Sequence, residues 1–378
     1  MTHPGDRLSL VFAIKSLNVE GGGAERVLVQ LANSLVERGH TVAILTFDGP
    51  GRSFYPLAAG VERLDMAIGT PGHPTPRFKL LASLPKMRRL VRERRPDVAI
   101  GFMHSMYVPF GAALWGARIP VIASEHAGFH HFHGRWAQRA MVRLGQALFF
   151  AKTVPSEPVR TAHPPREREQ VFVLPNPLDL ARFEGISDQP PSDPPTILTV
   201  GRFMEEKNQT ELIEAFALLA ADYPTWTLRL VGDGVMREEL ERVVEKNRLS
   251  TRVEMPGATQ EVAAEYRAAS IVAVPSLYES FGMVTAEAQA SGRPVIGFAD
   301  CSGTNELIEN EKNGLLVAGG SARVASLAAG LRRLMDDAAL RARLGAAGPR
   351  SVDQFSIERV VDVWENFLQA CKAGTLYH

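Results

Sequence analysis

Two hydrophobic rhythms alternate along the chain. Short apolar runs bounded by Gly, Pro or polar residues predict buried strands at Leu8–Ile14, Thr41–Phe47, Val61–Met66, Val98–Phe102, Val121–Ser124, Thr153–Pro155 and Val171–Leu174. Between most of them apolar residues recur every three or four positions. Val27, Leu28, Leu31 and Leu35 do so within Ala24–Glu37, and Gly39 ends that helix. The second half repeats the theme, with strands predicted at Thr196–Gly201, Thr227–Gly232, Val253–Met255, Ile271–Pro275, Pro294–Phe298 and Gly314–Val317. Helices are predicted there at Asn208–Ala220, Met236–Lys246, Gln260–Ala269 and Val284–Ser291. Continuously apolar strands alternating with amphipathic helices belong to parallel sheets covered on both faces, so the fold class is α/β with two doubly wound domains. Ligands of such sheets bind beyond the C-terminal ends of the strands, and two of them can face one central cleft. A last helix, Ile357–Lys372, carries Val360, Val361, Trp364, Phe367 and Leu368 on one stripe, which requires an apolar surface to cover it.

The stretch Ile186–Pro195, with four prolines and no periodicity, reads as a linker. The expected organisation is an N-terminal domain over 1–185, a linker over 186–195, a C-terminal domain over 196–355 and a closing helix over 356–378 that docks back on the first domain. Charge supports a division of labour. The 42 Lys/Arg and 42 Asp/Glu cancel overall, which argues against a nucleic-acid binder. Residues 1–185 nevertheless carry a net charge of +8 and residues 186–378 one of −8. Two cysteines, Cys301 and Cys371, are too few for a disulfide framework and fit a reducing compartment. The first residues do not read as a secretory signal, and no window has the ~18 apolar residues of a membrane span. A cytoplasmic chain is expected, with peripheral attachment to the inner face of the membrane through one segment. That segment, Arg77–Arg95, has eight Lys/Arg and one acid, with Lys79, Arg88, Arg89 and Arg92 as membrane-facing cations. Its stripe of Leu80, Leu81, Leu84, Met87, Leu90 and Val91 could equally pack on the sheet.

Five places carry candidate chemistry. Glu20–Arg26 (EGGGAER) follows the first strand and opens a helix, where Gly22 and Gly23 let backbone approach a phosphate or polar ligand. Glu25 and Arg26 stand beside them. Its spacing is not G-x-G-x-x-G, and a plain βα turn is the alternative. Gly201–Asn208 ends another strand with two cations, Arg202 and Lys207, suited to a diphosphate with no metal to neutralise it. Within Pro275–Gly292, Glu279 lies in the loop after a strand and Glu287 about a turn into the next helix. Carboxylates there can accept two sugar hydroxyls, and Ser280, Phe281 and Gly282 offer a backbone turn at the helix start. The alternative is acidic residues placed by the helix dipole. Ser124-Glu125-His126 ends a first-half strand, and His126 could orient a reacting hydroxyl. His130, His131 and His133 follow irregularly, which reads as a polar loop in preference to a metal site. No Asp-x-Asp occurs, and no metal or cofactor is expected. The fifth place is the basic segment Arg77–Arg95.

Taken in order, GGAER (22–26), VLPNPLD (173–179), VGRFMEEKN (200–208), VGDG (231–234) and PSLYESFGMVTAE (275–287) resemble the motifs of retaining glycosyltransferases of the GT-B fold, family 4. The match runs nearly end to end. SEH at 124–126 together with GGAER is similar to bacterial enzymes that extend polyprenyl-diphosphate-linked oligosaccharides. The resemblance implies a retaining transfer of a hexose or N-acetylhexosamine from a nucleotide sugar, with UDP favoured, to a glycan acceptor carried on a polyprenyl diphosphate. It implies catalytic roles for Arg202, Lys207, Glu279 and His126. Donor contacts would come from Gly22, Gly23, Gly201, Gly232, Ser280, Phe281, Gly282 and Glu287, and acceptor contacts from Glu25 and Arg26. Where such relatives often read Glu-Gly-Leu-Pro, this chain has Glu279-Ser280-Phe281-Gly282, which leaves the donor sugar open. The alternatives are an inactive sugar-nucleotide-binding partner protein, a GT-B sugar-nucleotide epimerase, and a nicotinamide oxidoreductase lacking G-x-G-x-x-G after its first strand.

Overall fold

The structure, a computed structural model, describes residues 7–19, 22–49, 51, 53–69, 76–126 and 145–376, with Arg77 and Gln146 as backbone only. The chain divides into two compact units, Met1–Pro177 with Ile357–His378, and Leu178–Ser356.

The first unit is built on seven parallel strands: β1 Ser9–Ile14, β2 Thr41–Thr46, β3 Val61–Asp65, β4 Val98–Phe102, β5 Val121–Ser124, β6 Ala151–Val154 and β7 Val171–Val173. Their order is β3-β2-β1-β4-β5-β6-β7, which reverses between β1 and β4. Alternate residues of each strand feed opposite cores, as the period of two requires. Leu10, Phe12, Ile44, Ile100 and Phe102 face one layer. Val11, Ala13, Ala43, Leu45 and Ala99 face the other. The first layer is covered by helix α1 (Gly23–Glu37) and by the closing helix Ile357–Ala373. The second is covered by helices α2 (Arg77–Glu93) and α3 (His104–Leu114).

The closing helix buries Val360, Val361, Trp364, Phe367, Leu368 and Cys371 in that first layer. Polar contacts set its register. Arg38, at the C-terminus of α1, donates to Asp362 (2.6 Å), Glu365 (2.9 Å) and the carbonyl of Glu358 (2.9 Å). His40 Nδ1 accepts the Leu8 N–H at 3.0 Å, so the ring proton sits on Nε2 and points at Glu365 Oε1, 3.1 Å away.

The second unit has six parallel strands: β8 Thr196–Val200, β9 Thr227–Val231, β10 Val253–Gly257, β11 Ile271–Val274, β12 Val295–Phe298 and β13 Leu315–Val317. Their order is β10-β9-β8-β11-β12-β13, with the reversal between β8 and β11. Ile197, Leu228, Ile271 and Ile296 pack into one layer, and Leu198, Val231, Val272 and Val295 into the other. The stretch 186–195 lies in this unit. Ile186 is buried, and the Arg293 guanidinium holds the Ile186 and Gln189 carbonyls at 3.3 and 2.9 Å. The helix after β8 runs Gln209–Ala217 against a predicted Asn208–Ala220: Asn208, at a left-handed φ of +53°, precedes its first residue, and residues 218–220 continue as turn. Among the described residues no helix is long and apolar enough to cross a membrane.

Candidate functional site

The reversal of strand order in the second sheet opens a crevice between the loops that follow β8 and β11, the place where open α/β sheets receive ligands. Gly201 ends β8 with φ +148° and Gly232 ends β9 with φ +150°, backbone that L side chains rarely adopt. A Cβ on Gly232 would lie 1.9 Å from the Gly201 carbonyl oxygen, so the two loops touch backbone to backbone. This close approach is the local reason for Gly232, whereas Gly201 has open space at its Cβ position and is required by its positive φ alone.

From that platform the β8 loop carries Arg202, which is exposed, into a one-turn 3₁₀ helix, Glu205–Lys207. The Leu277 N–H donates to the Glu206 carbonyl at 2.9 Å, stitching this loop to the one after β11. As a result Lys207 Nζ lies 2.6 Å from Glu279 Oε1, and Ser276 Oγ donates to the same carboxylate oxygen at 2.7 Å. Arg202 forms no salt bridge among the described residues. The two cations foreseen for a diphosphate therefore differ: Lys207 is held by a carboxylate, and Arg202 reaches solvent.

Glu279 is fixed from its backbone as well, its N–H donating to the Ser302 carbonyl at 2.9 Å. Gly303 lies under it at φ +78°, and a Cβ there would meet the Glu279 carbonyl oxygen at 2.6 Å. Gly282, at φ +91°, caps the helix Met283–Ala290. Ser280 is half-buried in the same loop. Phe281 does not line this crevice with its ring, which packs edge-on against Phe355 at 5.0 Å in the core, so it offers a ligand only backbone. Glu287 is buried, with the Tyr266 hydroxyl donating to Oε2 at 2.8 Å.

The first unit brings together a different set. Gly22 is buried beneath its own helix: a Cβ there would meet the Glu25 carboxylate at 2.2 Å, whereas Gly23 faces open space. Arg26 is half-buried one position on from Glu25, and Glu20 and Gly21 lie outside the described residues. At the ends of β5 and β6, Thr153 Oγ1 donates to Ser124 Oγ at 2.9 Å, and Ser124 Oγ lies 3.0 Å from His126 Nε2. The His126 ring stacks on Phe102 (4.9 Å, 11°), which stacks on Trp364 of the closing helix (6.4 Å, 15°). Burial pushes His126 down to about 4, with the Asn176 side chain pulling weakly the other way. The ring is therefore neutral at pH 7 and acts as one donor and one acceptor. His130, His131 and His133 lie outside the described residues.

Sequence reading missed the buried polar cluster on the opposite side of the same strand ends. Tyr107 Oη donates to Glu125 Oε2 at 2.7 Å, and Lys152 is buried nearby. His163 is pushed down to about 3 by burial and by the cations of Lys152 and Arg168. The signal was present as polar residues interrupting apolar strands, but nothing local pairs them. Both histidines take up a proton on unfolding near pH 6.5 that the folded chain refuses until about pH 4 and pH 3. Their contribution to stability is full above pH 6.5 and is lost as pH falls through the folded values. We expect His163→Gln to flatten the acid limb of unfolding free energy against pH by about 3 kcal/mol in urea titrations. An unchanged slope between pH 6.5 and pH 4 would refute this.

The basic helix α2 divides its stripe between packed and exposed residues. Leu80, Leu84, Met87, Leu90 and Val91 pack on the sheet. Leu81 does not: it is 66% exposed and Phe78 70% exposed, beside Lys79, Arg89 and Arg92 on the outer face. Arg88 departs from the expected membrane-facing set, since its guanidinium caps the end of α3 through the Ala113 (2.9 Å) and Trp115 (2.7 Å) carbonyls. A further basic stretch of the sequence, Arg135, Arg139 and Arg143, lies outside the described residues.

Comparison with known proteins places these sites in context. Residues 21–182 match the family model Glycosyltransferase Family 4, and residues 184–351 match Glycosyl transferases group 1. The chain is 28% identical over 372 residues to an undecaprenol-diphosphate-linked N-acetylgalactosamine α-1,4-N-acetyl-D-galactosaminyltransferase of Campylobacter jejuni, covering 97% of this chain and 99% of that protein. In fold it is similar to sucrose-phosphate synthase from Thermosynechococcus elongatus, with TM-score 0.81 and 24% identity over 97% of this chain and 100% of that one. It is also similar to the Anabaena protein HepE solved with UDP and glucose, with TM-score 0.77 and 20% identity over 96% of this chain and 100% of that one.

Proposed function

We propose, from the premise that the chain belongs to the GT-B glycosyltransferases with family 4 and group 1 halves, that it transfers a hexose or N-acetylhexosamine from a UDP-sugar to a polyprenyl-diphosphate-linked glycan with retention of configuration. The observation that carries this reading is the Lys207–Glu279 pair at the strand-order reversal of the second sheet, with Arg202 exposed beside it. A diphosphate takes the two cations. The freed carboxylate of Glu279, still held by Ser276, takes hydroxyls of the sugar. The acceptor hydroxyl forms a bond to the anomeric carbon on the face from which UDP leaves. The anomeric carbon–oxygen bond breaks with its electron pair on the diphosphate, and a phosphate oxygen of that leaving group receives the acceptor proton. Catalysis is then positioning plus stabilisation of the charge growing on the phosphate. Neutral His126 orients the sugar or the acceptor by a hydrogen bond. The UDP preference is supported by the HepE structure with that nucleotide, and the lipid-linked acceptor by the Campylobacter relative.

Thermal-shift measurements with UDP, GDP and ADP, with and without EDTA, test the donor class. A ligand at a hundredfold excess over its Kd stabilises the folded state by ~2.7 kcal/mol. We expect a shift with UDP that EDTA leaves unchanged. The absence of a shift with all three would sink the donor assignment.

The outer face of α2 supports a membrane contact through Lys79, Arg89 and Arg92, with Phe78 and Leu81 between them. Sedimentation with vesicles should show binding that requires anionic lipid and is lost at high salt. Equal binding to neutral vesicles would count against it.

A further inference from the structure

Arg323 is almost fully buried, yet it opens the helix Arg323–Asp336, where the helix dipole disfavours a cation. Its partners explain the placement. Nε donates to Glu211 at 2.9 Å and one terminal nitrogen to Asp300 at 2.9 Å. The other terminal nitrogen donates to the carbonyls of Pro275 (3.2 Å) and Ser276 (3.1 Å), and the guanidinium lies 3.6 Å above the Phe298 ring. Pro275 and Ser276 follow β11, Phe298 ends β12 and Asp300 lies in the turn after it, Arg323 opens a helix after β13, and Glu211 lies in the helix that follows β8. One planar group thus joins segments that follow four strands. Glu211 also accepts from Asn208 at 2.5 Å, the residue next to Lys207, and Ser276 donates to Glu279. The guanidinium therefore grips the two segments that carry the Lys207–Glu279 pair, through Ser276, which donates to Glu279 itself, and through Glu211, which holds the residue next to Lys207. A lysine could neither stack on Phe298 nor meet four acceptors in a plane.

We propose that Arg323 is the positioning residue of the donor site, holding the Ser276–Glu279 loop and the Lys207–Glu211 segment in the register that brings Lys207 to a diphosphate. This deepens the donor-site reading above and rests on it. Nothing in the local sequence around Arg323 marks it, since its partners lie 23 to 112 residues away.

The experiment is a double-mutant cycle read by calorimetric titration of UDP into the 378-residue protein, its Arg323→Lys and Lys207→Ala variants, and the double variant. We expect Arg323→Lys to weaken UDP about tenfold by itself and to cost nothing further once Lys207 is gone, because it acts through that side chain. A residue that merely stabilises the unit would lower the melting temperature and leave the affinity of the folded protein unchanged in both backgrounds. Asp300→Ala is the second variant, since Asp300 is half-exposed and its loss spares the core. It should show a smaller loss of affinity that also vanishes in the Lys207→Ala background. Wild-type UDP affinity in folded Arg323→Lys and Asp300→Ala, or losses that multiply with that of Lys207→Ala, would overturn the proposal alone. Failure of the unmodified protein to bind UDP would overturn the donor reading and the proposal with it.

Discussion

Lys207→Ala should lower kcat by about 10²–10³-fold while leaving the protein folded. The magnitude is that of removing one preorganised donor from a site of developing negative charge, ~3–4 kcal/mol. Lys207 meets this description because it stands at the strand-order reversal, 2.6 Å from Glu279, on a loop hydrogen-bonded to the Glu279 loop. Folding should survive because the Lys207 side chain is 23% exposed, and part-exposed ion pairs contribute little to stability. On the proposed mechanism the deficit should appear in kcat more than in KM, since the charge assigned to Lys207 grows as the nucleotide departs. Lys207→Arg should restore turnover only in part, because the guanidinium keeps the charge but its larger planar fork shifts the position of the donor beside Glu279. Steady-state kinetics with a UDP-sugar and a lipid-linked acceptor decide the matter. Normal turnover by folded Lys207→Ala would remove it from the mechanism, whatever Arg202 does.

Trp364→Ala should destabilise the first unit by about 3–5 kcal/mol, the range for deleting a large buried aromatic. Trp364 is 1% exposed and among the largest fully buried side chains. It packs edge-on with Phe367 at 6.3 Å and stacks beyond Phe102 toward His126. Trp364→Phe leaves a smaller cavity and should cost less. Denaturant unfolding followed by far-UV circular dichroism will show the early transition, and it should belong to the first unit alone. Because the lost ring also backs the Phe102–His126 stack, the fluctuations it permits should loosen His126, and activity should fall even where the folded fraction is high. Wild-type stability in Trp364→Ala would mean that the closing helix contributes nothing to the first unit's core.

The α/β class and the two parallel sheets were legible because the signal is local. A strand buried on both faces must be apolar throughout, as Val98–Phe102 is, and a covering helix must be apolar every third or fourth residue, as α1 is. The loops that hold the candidate site residues were legible for the same reason. Gly201 and Gly232 stand where the backbone takes a φ that L side chains rarely adopt, and Lys207 and Glu279 follow strands whose ends the pattern marks.

What the pattern left open is everything that depends on which surfaces meet. The stripe on Ile357–Lys372 demanded an apolar partner, expected in the first domain; which surface it covers there, beside α1 and more than 170 residues away in sequence from Pro177, is set only by packing. Phe281, read as a donor-side residue, has its ring in the core because the helix start turns it inward against Phe355. Arg88, read as membrane-facing, caps α3 because that helix ends within its reach. Local sequence determined the strands, the helices and the loop glycines, because backbone sterics and side-chain periodicity act over a few residues. The salt bridge between Lys207 and Glu279, the Arg323 clamp and the His126 stack were decided only in the tertiary structure, because each joins groups from strands or helices that lie apart in sequence and meet only when the sheets form.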